Sequence, residues 1–255
     1  MPLLSPSDPP PFEEISGKAP LLLVCDHASN RVPAALRGLG LPPERLAEHI
    51  AVDIGAAAVT RLLTPALGAS AILAGYSRLV IDCNRALDDP SSIPSLSDGI
   101  AIPGNRDLPQ AARDARCAEI FTPYHAAIAR RLAAMPGVPA LISIHSFTPV
   151  MRDFVRPWHI GVLWADDPRI AAPLLAALRG EAALVVGDNQ PYSAREPRGY
   201  TVSRHAHAPG FPHVAVELRQ DLVGDEAGAR EWAERLARVF APILADPAIY
   251  RAAPR

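Results

Sequence analysis

Polar residues able to do chemistry follow several short apolar runs of this 255-residue chain. The run LLLVC precedes Asp26 and His27, ALISI precedes His145, and HVAV precedes Glu217. Two histidines and a carboxylate are the protein ligands of a catalytic zinc, which keeps a fourth position for water and lowers the pKa of that water to about 7. Because a leaving amine also needs a proton, a separate carboxylate is required, and Glu217 is the candidate. These residue types predict metal-assisted hydrolysis of an amide.

An asparagine–arginine pair, Asn84 and Arg85, follows another apolar run. The planar guanidinium of arginine binds carboxylates bidentately, so this pair predicts a clamp for a carboxylate of the substrate. Arg78 precedes the same run and is a further candidate for substrate contact, although a structural ion pair explains it equally well. His205 lies in a polar stretch over 187–209 and would reach the substrate only if that stretch folds over the site. A solvated loop histidine is the alternative.

The apolar runs that must position these residues are continuous rather than alternating, which is typical of strands buried on both faces. They cover 21–25, 71–74, 79–82, 141–144, 160–164, 184–186 and 214–216. Helical spacing of apolar residues is found over 43–63, 108–134, 168–178 and 227–244. Strands that alternate with helices predict an α/β three-layer sandwich, in which a mostly parallel or mixed central sheet is flanked by helices. Ligands bind at the carboxyl ends of such strands.

Composition predicts a catalytic domain with a short arm in front of it. At 27.2 kDa, with 49% hydrophobic residues and a mean hydropathy of +0.10, the chain can bury a core without disulfides or a structural metal. The proline-rich residues 1–15 are expected to form an extended N-terminal arm, and 16–255 a single catalytic α/β domain. Stretches 88–107 and 187–209 are predicted to be long loops, with no role assigned to the first.

Charge and cysteine content exclude several classes of partner. The formal net charge of -2 gives no basic surface for nucleic acid or membrane, and no apolar run is long enough to span a bilayer. Three scattered cysteines fit a reduced, cytoplasmic protein. Lys18 is the only lysine among 25 basic residues, which is typical of a GC-rich bacterial genome. We therefore expect a small-molecule substrate, and the oligomeric state stays open.

Three segments together resemble the N-formylglutamate amidohydrolase family of the zinc carboxypeptidase-like superfamily. They are DHASNRVP over 26–33, SRLVIDCNR over 77–85 and ELRQDL over 217–222, and the likeness extends over about residues 20–225. LISIHS and VAVELR resemble the metal-histidine strand and the catalytic-glutamate strand of the superfamily. The resemblance implies a fold like that of zinc peptidases and phosphorylase-type hydrolases. It also implies His27 and His145 as zinc ligands, Glu217 as general base, and Asn84 with Arg85 as the carboxylate clamp.

One departure from the superfamily pattern concerns the third zinc ligand. The pattern H-x-x-E would place a glutamate three residues after His27, where this chain has Asn30, whose amide oxygen carries no charge. We predict Asp53 as the ligand instead, on the view that residues 31 to about 50 are an insertion. The alternative for Asp53 is a helix cap or an exposed position, and Asp26 is a further candidate ligand.

The resemblance implies a zinc-dependent amidohydrolase that converts N-formylglutamate and water to glutamate and formate. Glu217 would take a proton from the zinc-bound water and pass it to the leaving nitrogen, while Arg78 or His205 would stabilise the oxyanion. A carboxypeptidase-like enzyme, or another N-acyl-amino-acid hydrolase, would use the same chemistry in a different pocket. Because Asn30 replaces a glutamate, a metal-free binding module for an acidic metabolite is the alternative outside the enzymes.

Overall fold

A seven-stranded mixed sheet lies at the centre of the computed structural model, which describes residues 2–195 and 199–251. Its strands are β1 (Phe12–Ile15), β2 (Leu21–Cys25), β3 (Ser70–Ala74), β4 (Ala140–Phe147), β5 (Ile160–Leu163), β6 (Val186–Asp188) and β7 (His213–Arg219). They are arranged in the order β1-β3-β2-β4-β7-β5-β6. The central strands β3, β2, β4 and β7 are parallel. Strand β1 is antiparallel to β3, and β5, which pairs in parallel with β6, is antiparallel to β7.

The described part of the chain contains six α-helices. They are α1 (Pro43–Leu46), α2 (Ala56–Ala66), α3 (Gln110–Arg116), α4 (Thr122–Ala133), α5 (Pro168–Arg179) and α6 (Glu226–Ala245). Single π-helical segments occur at Cys117–Phe121 and Ser203–His207. Short 3₁₀ segments occur at Ala34–Gly40, Pro90–Ser92, Pro103–Asn105, Gln220–Leu222 and Pro247–Tyr250. Two small hairpins pair Leu96–Ser97 with Ile100–Ala101 and Val150–Met151 with Phe154–Val155. No helix of the described ranges has the length and apolar character needed to cross a membrane.

The helices cover both faces of the sheet, so the central strands are buried on both sides. Along β2, Leu21, Leu23 and Cys25 pack on the side of α2, α5 and α6, whereas Leu22 and Val24 pack on the side of α4. Successive residues of a strand point to opposite faces, which is why an uninterrupted apolar run suits this position. The predicted α/β three-layer sandwich with a mixed central sheet is confirmed.

The apolar run over 79–82 is not a strand, and our prediction there was wrong. The run forms a buried turn whose backbone groups are satisfied by other parts of the chain. Asn105 Nδ2 donates to the Leu79 carbonyl at 2.8 Å, Arg116 NH1 donates to the Val80 carbonyl at 2.8 Å, and the Asp82 amide donates to the Ser92 carbonyl at 2.7 Å. Because these partners come from side chains and from the loop over 88–107, the run is buried without joining the sheet.

The helix predicted over 43–63 is interrupted. Helix α1 ends at Leu46 and α2 begins only at Ala56, after Gly55, whose φ of 81° lies in the left-handed region that favours glycine. Between the two helices the Asp53 amide donates to the His27 carbonyl at 3.0 Å. The segment between the two helices is therefore hydrogen-bonded, through the Asp53 amide, to the residues that follow β2.

The N-terminal residues lie against the domain. Residues 12–15 of the predicted arm form the edge strand β1, and the amides of Leu3 and Leu4 donate to the Glu119 carboxylate at 2.7 and 2.8 Å. The division into an arm over 1–15 and one catalytic domain over 16–255 stays a prediction, and Met1, 196–198 and 252–255 lie outside the described residues.

Candidate active site

A cleft of about 810 Å³ opens at the carboxyl ends of β2, β4 and β7. Much of its opposite wall is formed by residues of 189–195 and 199–207, whereas no residue of 88–107 lines it. The cleft brings together seven of the eight predicted site residues, which are His27, Asp53, Arg78, Asn84, Arg85, His145 and Glu217. The site thus lies where ligands bind in open α/β sheets.

Two histidines and an aspartate form a buried cluster in this cleft. Asp53 Oδ2 lies 3.2 Å from His27 Nδ1 and 2.9 Å from His145 Nδ1, and one ligand atom from each residue lies within 4.8 Å of the others. Zinc bonds of about 2.0–2.2 Å place tetrahedral ligands about 3.3 Å apart, a spacing close to both distances from Asp53 to the histidines. These three residues could hold a metal.

Each histidine of the cluster is held from behind by another aspartate. His27 Nε2 lies 2.8 Å from Asp82 Oδ1, and His145 Nε2 lies 3.3 Å from Asp26 Oδ2 and 2.9 Å from the Ser143 hydroxyl. A carboxylate behind a histidine fixes the orientation of its ring and makes its other nitrogen a better metal ligand. Both Nδ1 atoms are therefore directed towards Asp53.

The aspartates control the charge of both histidines. Burial and Arg78 act to lower the pKa of His27, but Asp82 and Asp53 outweigh them and the pKa is raised. Burial also opposes protonation of His145, yet its hydrogen bonds to Asp26 and Asp53 hold its pKa well above the ordinary value. The aspartates therefore favour the cationic form of both imidazoles when no metal is bound.

The aspartates themselves stay ionised. Burial acts to raise their pKa values, but the histidines outweigh it: the pKa of Asp26 is about 2, and those of Asp53 and Asp82 are also lowered. The charges of the three aspartates are then balanced by the two imidazolium groups and Arg78. One divalent cation in place of the two Nδ1 protons leaves this balance unchanged, so the donor set fits a divalent metal.

The geometry distinguishes between the candidate third ligands. Asn30 is exposed and lies outside the histidine–aspartate cluster, whereas Asp53 is 4% exposed and belongs to it. Asp53 does not cap α2, because the N-cap position is Gly55 and no side chain accepts a capping bond there. Asp26 contacts the outer nitrogen of His145 and also accepts from Tyr124 and Thr201 at 2.8 and 2.6 Å.

Glu217 lies next to His145 across the parallel pair β7–β4, where the two residues are register partners. Its side chain is buried, and Oε2 has no hydrogen-bond partner among the residues that the structure describes. Burial raises the pKa of Glu217 to about 7, although His145 acts in the other direction. A carboxyl group with a pKa near neutrality is suited to accept and return a proton.

Asn84 and Arg85, the predicted carboxylate clamp, both line the cleft, as does Arg78. Arg78 NH2 lies 2.9 Å from Asp82 Oδ2 and its NH1 lies 3.5 Å from Asp53 Oδ1, so Arg78 forms an ion pair and also lines the cleft. Asn84 Oδ1 accepts from the amides of Tyr200 and Thr201 at 2.8 and 3.0 Å. Asn84 therefore holds the opposite wall in place, and Arg85 is the cleft-lining arginine beside it.

His205 lies outside the cleft lining, so its position does not favour the predicted contact with substrate. It is 8% exposed within the π-helical segment Ser203–His207, and its Nε2 lies 2.9 Å from His125 Nδ1. His125 Nε2 in turn lies 2.9 Å from the Cys83 carbonyl oxygen. Burial lowers the pKa of His205 to about 4, so this pair is a neutral structural contact behind the wall.

Sequence reasoning missed the outer carboxylates and the wall residue Tyr192. Asp82 was noted only as part of the SRLVIDCNR segment, and its position directly after an apolar run was the available signal. Asp26 was considered as a direct ligand. Tyr192 lines the cleft from the segment that follows β6. No spacing in the sequence marks it as different from the other residues of the polar stretch.

Comparisons with known proteins agree with this geometry. The family model for N-formylglutamate amidohydrolase matches residues 19–224. N-formylglutamate deformylase of Pseudomonas aeruginosa is 28% identical, over 90% of this chain and 91% of the relative. The crystal structure of a gene product of Agrobacterium tumefaciens is 34% identical, with a TM-score of 0.88 over 95% of this chain and 98% of that one.

A second crystal structure shares the fold at lower identity. N-formylglutamate amidohydrolase from Ralstonia eutropha is 22% identical, with a TM-score of 0.65 over 92% of this chain and 95% of that one. The family model covers most of the length of the chain, from before β2 to beyond β7. The chain belongs to the N-formylglutamate amidohydrolase family.

Proposed function

We propose that the protein is a zinc-dependent amidohydrolase that converts N-formylglutamate and water to glutamate and formate. The observation that carries this proposal is the juxtaposition, in one cleft, of the His27–Asp53–His145 cluster and Glu217, whose Oε2 is buried without a hydrogen-bond partner among the described residues. Membership in the family and the name of the Pseudomonas aeruginosa relative support the substrate.

The metal would be held by His27, Asp53 and His145. A bound zinc ion supplies a Lewis acid that polarises the amide carbonyl and makes water nucleophilic at neutral pH. Asp82 and Asp26 keep the two imidazole rings oriented through their outer nitrogens. The net charge of the cluster favours a divalent ion, and the nitrogen and oxygen donors suit zinc.

Glu217 moves the proton. Its carboxylate accepts a proton from the attacking water as the carbon–oxygen bond forms at the formyl carbon. It then gives that proton to the amide nitrogen as the carbon–nitrogen bond breaks, so that formate and the amino acid leave. Because burial brings the pKa of Glu217 to about 7, both the acceptance and the return of the proton are accessible near neutral pH.

Arg85 binds a carboxylate of the substrate. It lines the cleft next to Asn84, and its planar guanidinium suits a bidentate contact. Arg78 already forms ion pairs with Asp82 and Asp53, so its contribution is mainly to the charge balance of the cluster. The role of Asn84 is to hold Tyr200 and Thr201 of the facing wall.

A second candidate follows from the size of the cleft. At about 810 Å³ it lies in the upper part of the usual range for small-molecule sites, which is about 300–1,000 Å³. A larger N-acyl amino acid or a short peptide would also fit, and the same catalytic groups would hydrolyse it.

Formate release by the purified, zinc-supplemented protein tests the proposal. N-formylglutamate should be hydrolysed faster than N-acetylglutamate or a formylated neutral amino acid, and a chelator should abolish the reaction. The Glu217→Gln variant should retain zinc while its kcat falls by at least ~10²-fold, the usual scale for general acid–base catalysis. Glu234→Gln on the exposed surface of α6 is the matched control and should be fully active.

Other outcomes identify the alternatives. Preference for acylated substrates larger than the formyl compound would indicate the second candidate. Absence of zinc after gentle purification, together with metal-independent binding of glutamate, would indicate a binding module. A reduced, cytoplasmic location belongs to the same proposal, and Cys25, Cys83 and Cys117 are unpaired.

A further inference from the structure

Tyr192 lies in the cleft wall that follows β6. The segment carrying it is fixed at its start, because Asn189 Oδ1 accepts from the amides of Trp164 and Ala194, both at 3.1 Å. The next residue, Gln190, places its carbonyl oxygen directly over Gly161, where any side chain would collide with it. Gly161 is the register partner of Glu217 in the pair β5–β7. The backbone leading to Tyr192 is thereby attached to the sheet beside Glu217.

The hydroxyl of Tyr192 is oriented by a buried arginine. Arg156 NH2 donates to the Tyr192 hydroxyl oxygen at 3.3 Å, and its guanidinium carbon lies 5.1 Å from the centre of the tyrosine ring. Arg156 is only 6% exposed, donates to the Thr148 carbonyl at 3.2 Å, and lies 5.6 Å from the ring centre of Phe147 at the end of β4. Its position is therefore set by the strand that also carries His145.

The direction of this hydrogen bond leaves the tyrosine proton available. A guanidinium group can only donate, so the phenol oxygen is the acceptor and the O–H must point elsewhere. Among the residues that the structure describes, none accepts a hydrogen bond from it. Tyr192 is 43% exposed and lines the cleft, so its O–H is free to donate to a group bound there.

The charges around the phenol keep it protonated. Burial and then Glu217 raise its pKa, while Arg156 and Arg78 act in the opposite direction. The phenol of Tyr192 therefore interacts electrostatically with Glu217, the proposed base, and with Arg78, which lies beside the metal cluster. A neutral phenol with a cation on its oxygen is a strong hydrogen-bond donor.

A hydrogen-bond donor to the carbonyl oxygen would add to the polarisation that a metal supplies, and the two candidates from the sequence are poorly placed for this role. His205 lies outside the cleft lining, and Arg78 is bound by two aspartates. We propose that Tyr192 is a further catalytic residue, which donates a hydrogen bond to the amide carbonyl oxygen of the substrate as that oxygen gains negative charge, and that Arg156 is its positioning residue. This inference rests on the proposed function. We assign the scissile amide bond as the target of Tyr192 because Glu217, which lines the same cleft, acts on that bond.

Kinetics of Tyr192→Phe with N-formylglutamate test the inference. An interaction that forms only in the transition state lowers kcat without raising KM, so kcat should fall by about 10²-fold while KM changes by less than about 3-fold. Zinc content should equal that of the wild type. Tyr250→Phe is the matched control, because it removes a hydroxyl that donates to the Leu244 carbonyl at 3.1 Å away from the cleft, and its kcat should be unchanged.

Ligand binding provides an independent measurement. A phosphonate that imitates the tetrahedral intermediate should bind about 10²-fold more weakly to Tyr192→Phe than to the wild type, whereas glutamate should bind equally to both. In the Arg156→Lys background, removal of the Tyr192 hydroxyl should cost less than about 10-fold, because the hydroxyl is no longer held in place. If Arg156→Lys does not fold, the Tyr192→Phe measurements decide alone.

The outcomes that would overturn the inference are distinct from failure of the proposed function. A raised KM with unchanged kcat would show that Tyr192 binds a carboxylate of the ground state, and an unchanged kcat and KM would show that it has no role. Either result leaves formate release by the wild type and by Tyr250→Phe intact. Absence of formate release from both of these proteins would overturn the proposed function, and the role of Tyr192 with it.

Discussion

The protein contains two buried histidine pairs with nearly equal ring spacing and opposite properties. The ring centres of His27 and His145 lie 5.1 Å apart, and those of His125 and His205 lie 5.2 Å apart. The first pair is surrounded by Asp26, Asp53 and Asp82, which raise the pKa of both imidazoles. In the second pair, His205 contacts His125, and His125 contacts the Cys83 carbonyl oxygen. Burial lowers the pKa of both histidines.

Comparison of the two pairs shows that a histidine buried without nearby carboxylates stays neutral and serves as a packing residue. Ionised carboxylates around it make it cationic, and the same arrangement accepts a metal ion in place of protons. The number of histidines and their spacing in the sequence do not separate the two cases. Each of the following predictions replaces a carboxylate or a histidine of one pair, or changes the pH that sets the protonation of the pair.

The largest effect is expected for Asp53→Asn. The substitution removes the charged oxygen that faces both histidines, so zinc affinity should fall by more than ~10²-fold, beyond what changes in outer partners usually cost. Competition with a fluorescent chelator measures this. Asn30→Ala is the control and should bind zinc like the wild type. If the two variants exchanged these results, the ligand would be Asn30.

Zinc affinity should depend steeply on pH. Because the pKa values of His27 and His145 are raised, both rings carry Nδ1 protons that zinc must displace at mildly acidic pH. Affinity should therefore rise with pH by up to about 100-fold per unit and become constant once both histidines are neutral. Calorimetry in buffers of different ionisation enthalpy should detect up to two protons released. A pH-independent affinity would contradict cationic histidines.

Asp82→Asn should have an intermediate effect. The asparagine keeps the shape of the side chain behind His27 but not its charge, so zinc affinity should fall by about 10–100-fold. Asp98→Asn is the matched control, because Asp98 contacts His49 Nε2 at 3.1 Å in a partly exposed pair outside the cleft. Equal zinc affinity in the Asp82 variant and the wild type would show that Asp82 serves only to bind Arg78.

The smallest effect concerns the neutral pair. The pKa of His205 is about 4 in the folded protein and about 6.5 when unfolded, so the unfolded state binds more protons between these values. The contribution to the free energy of unfolding is fully present above about pH 6.5 and is lost as pH falls towards 4. At about 1.4 kcal/mol for each unit of difference between the two pKa values, it should amount to about 3 kcal/mol.

Urea unfolding of His205→Gln at several pH values between 4 and 7 measures this contribution. The variant should be less stable than the wild type at pH 7, and the gap should narrow as pH falls. His49→Gln, at the surface, should run parallel to the wild type. A constant gap between His205→Gln and the wild type would mean that His205 does not gain a proton more readily on unfolding.

The sequence predicted the sheet side of the cleft well, because those residues end buried strands. His27, His145 and Glu217 each follow an apolar run, and Asp53 was predicted from its place near the start of an alanine-rich helical run, after Asn30 had been set aside for its lack of charge. The run over 79–82 was wrongly predicted as a strand, because three buried apolar residues are equally compatible with a turn. Such a turn can be buried when side chains such as Arg116 and Asn105 donate hydrogen bonds to its carbonyl groups. Burial was predictable there, but the partner groups came from distant parts of the chain.

The wall formed by the polar stretch was much less predictable. His205 was selected for its chemistry, yet the π-helical segment directs it towards His125 rather than into the cleft. Tyr192 gained its orientation from Arg156, which is 36 residues away in sequence. Residues in loops obtain their function from contacts that no local periodicity records.

Gly161 has a consequence for how this cleft can evolve. The wall carrying residues 192–195 is joined to the sheet at this point through the carbonyl oxygen of Gln190, and the absence of side chains at Gly161 and Gly187 permits the contact. Substitutions at 193–195 can therefore alter the range of accepted substrates without touching the residues that perform the chemistry. A mutation of Gly161 would displace the wall and disturb the strand paired with Glu217 at once. Gly161 is thus a position at which the cleft wall and the strand beside Glu217 are constrained together.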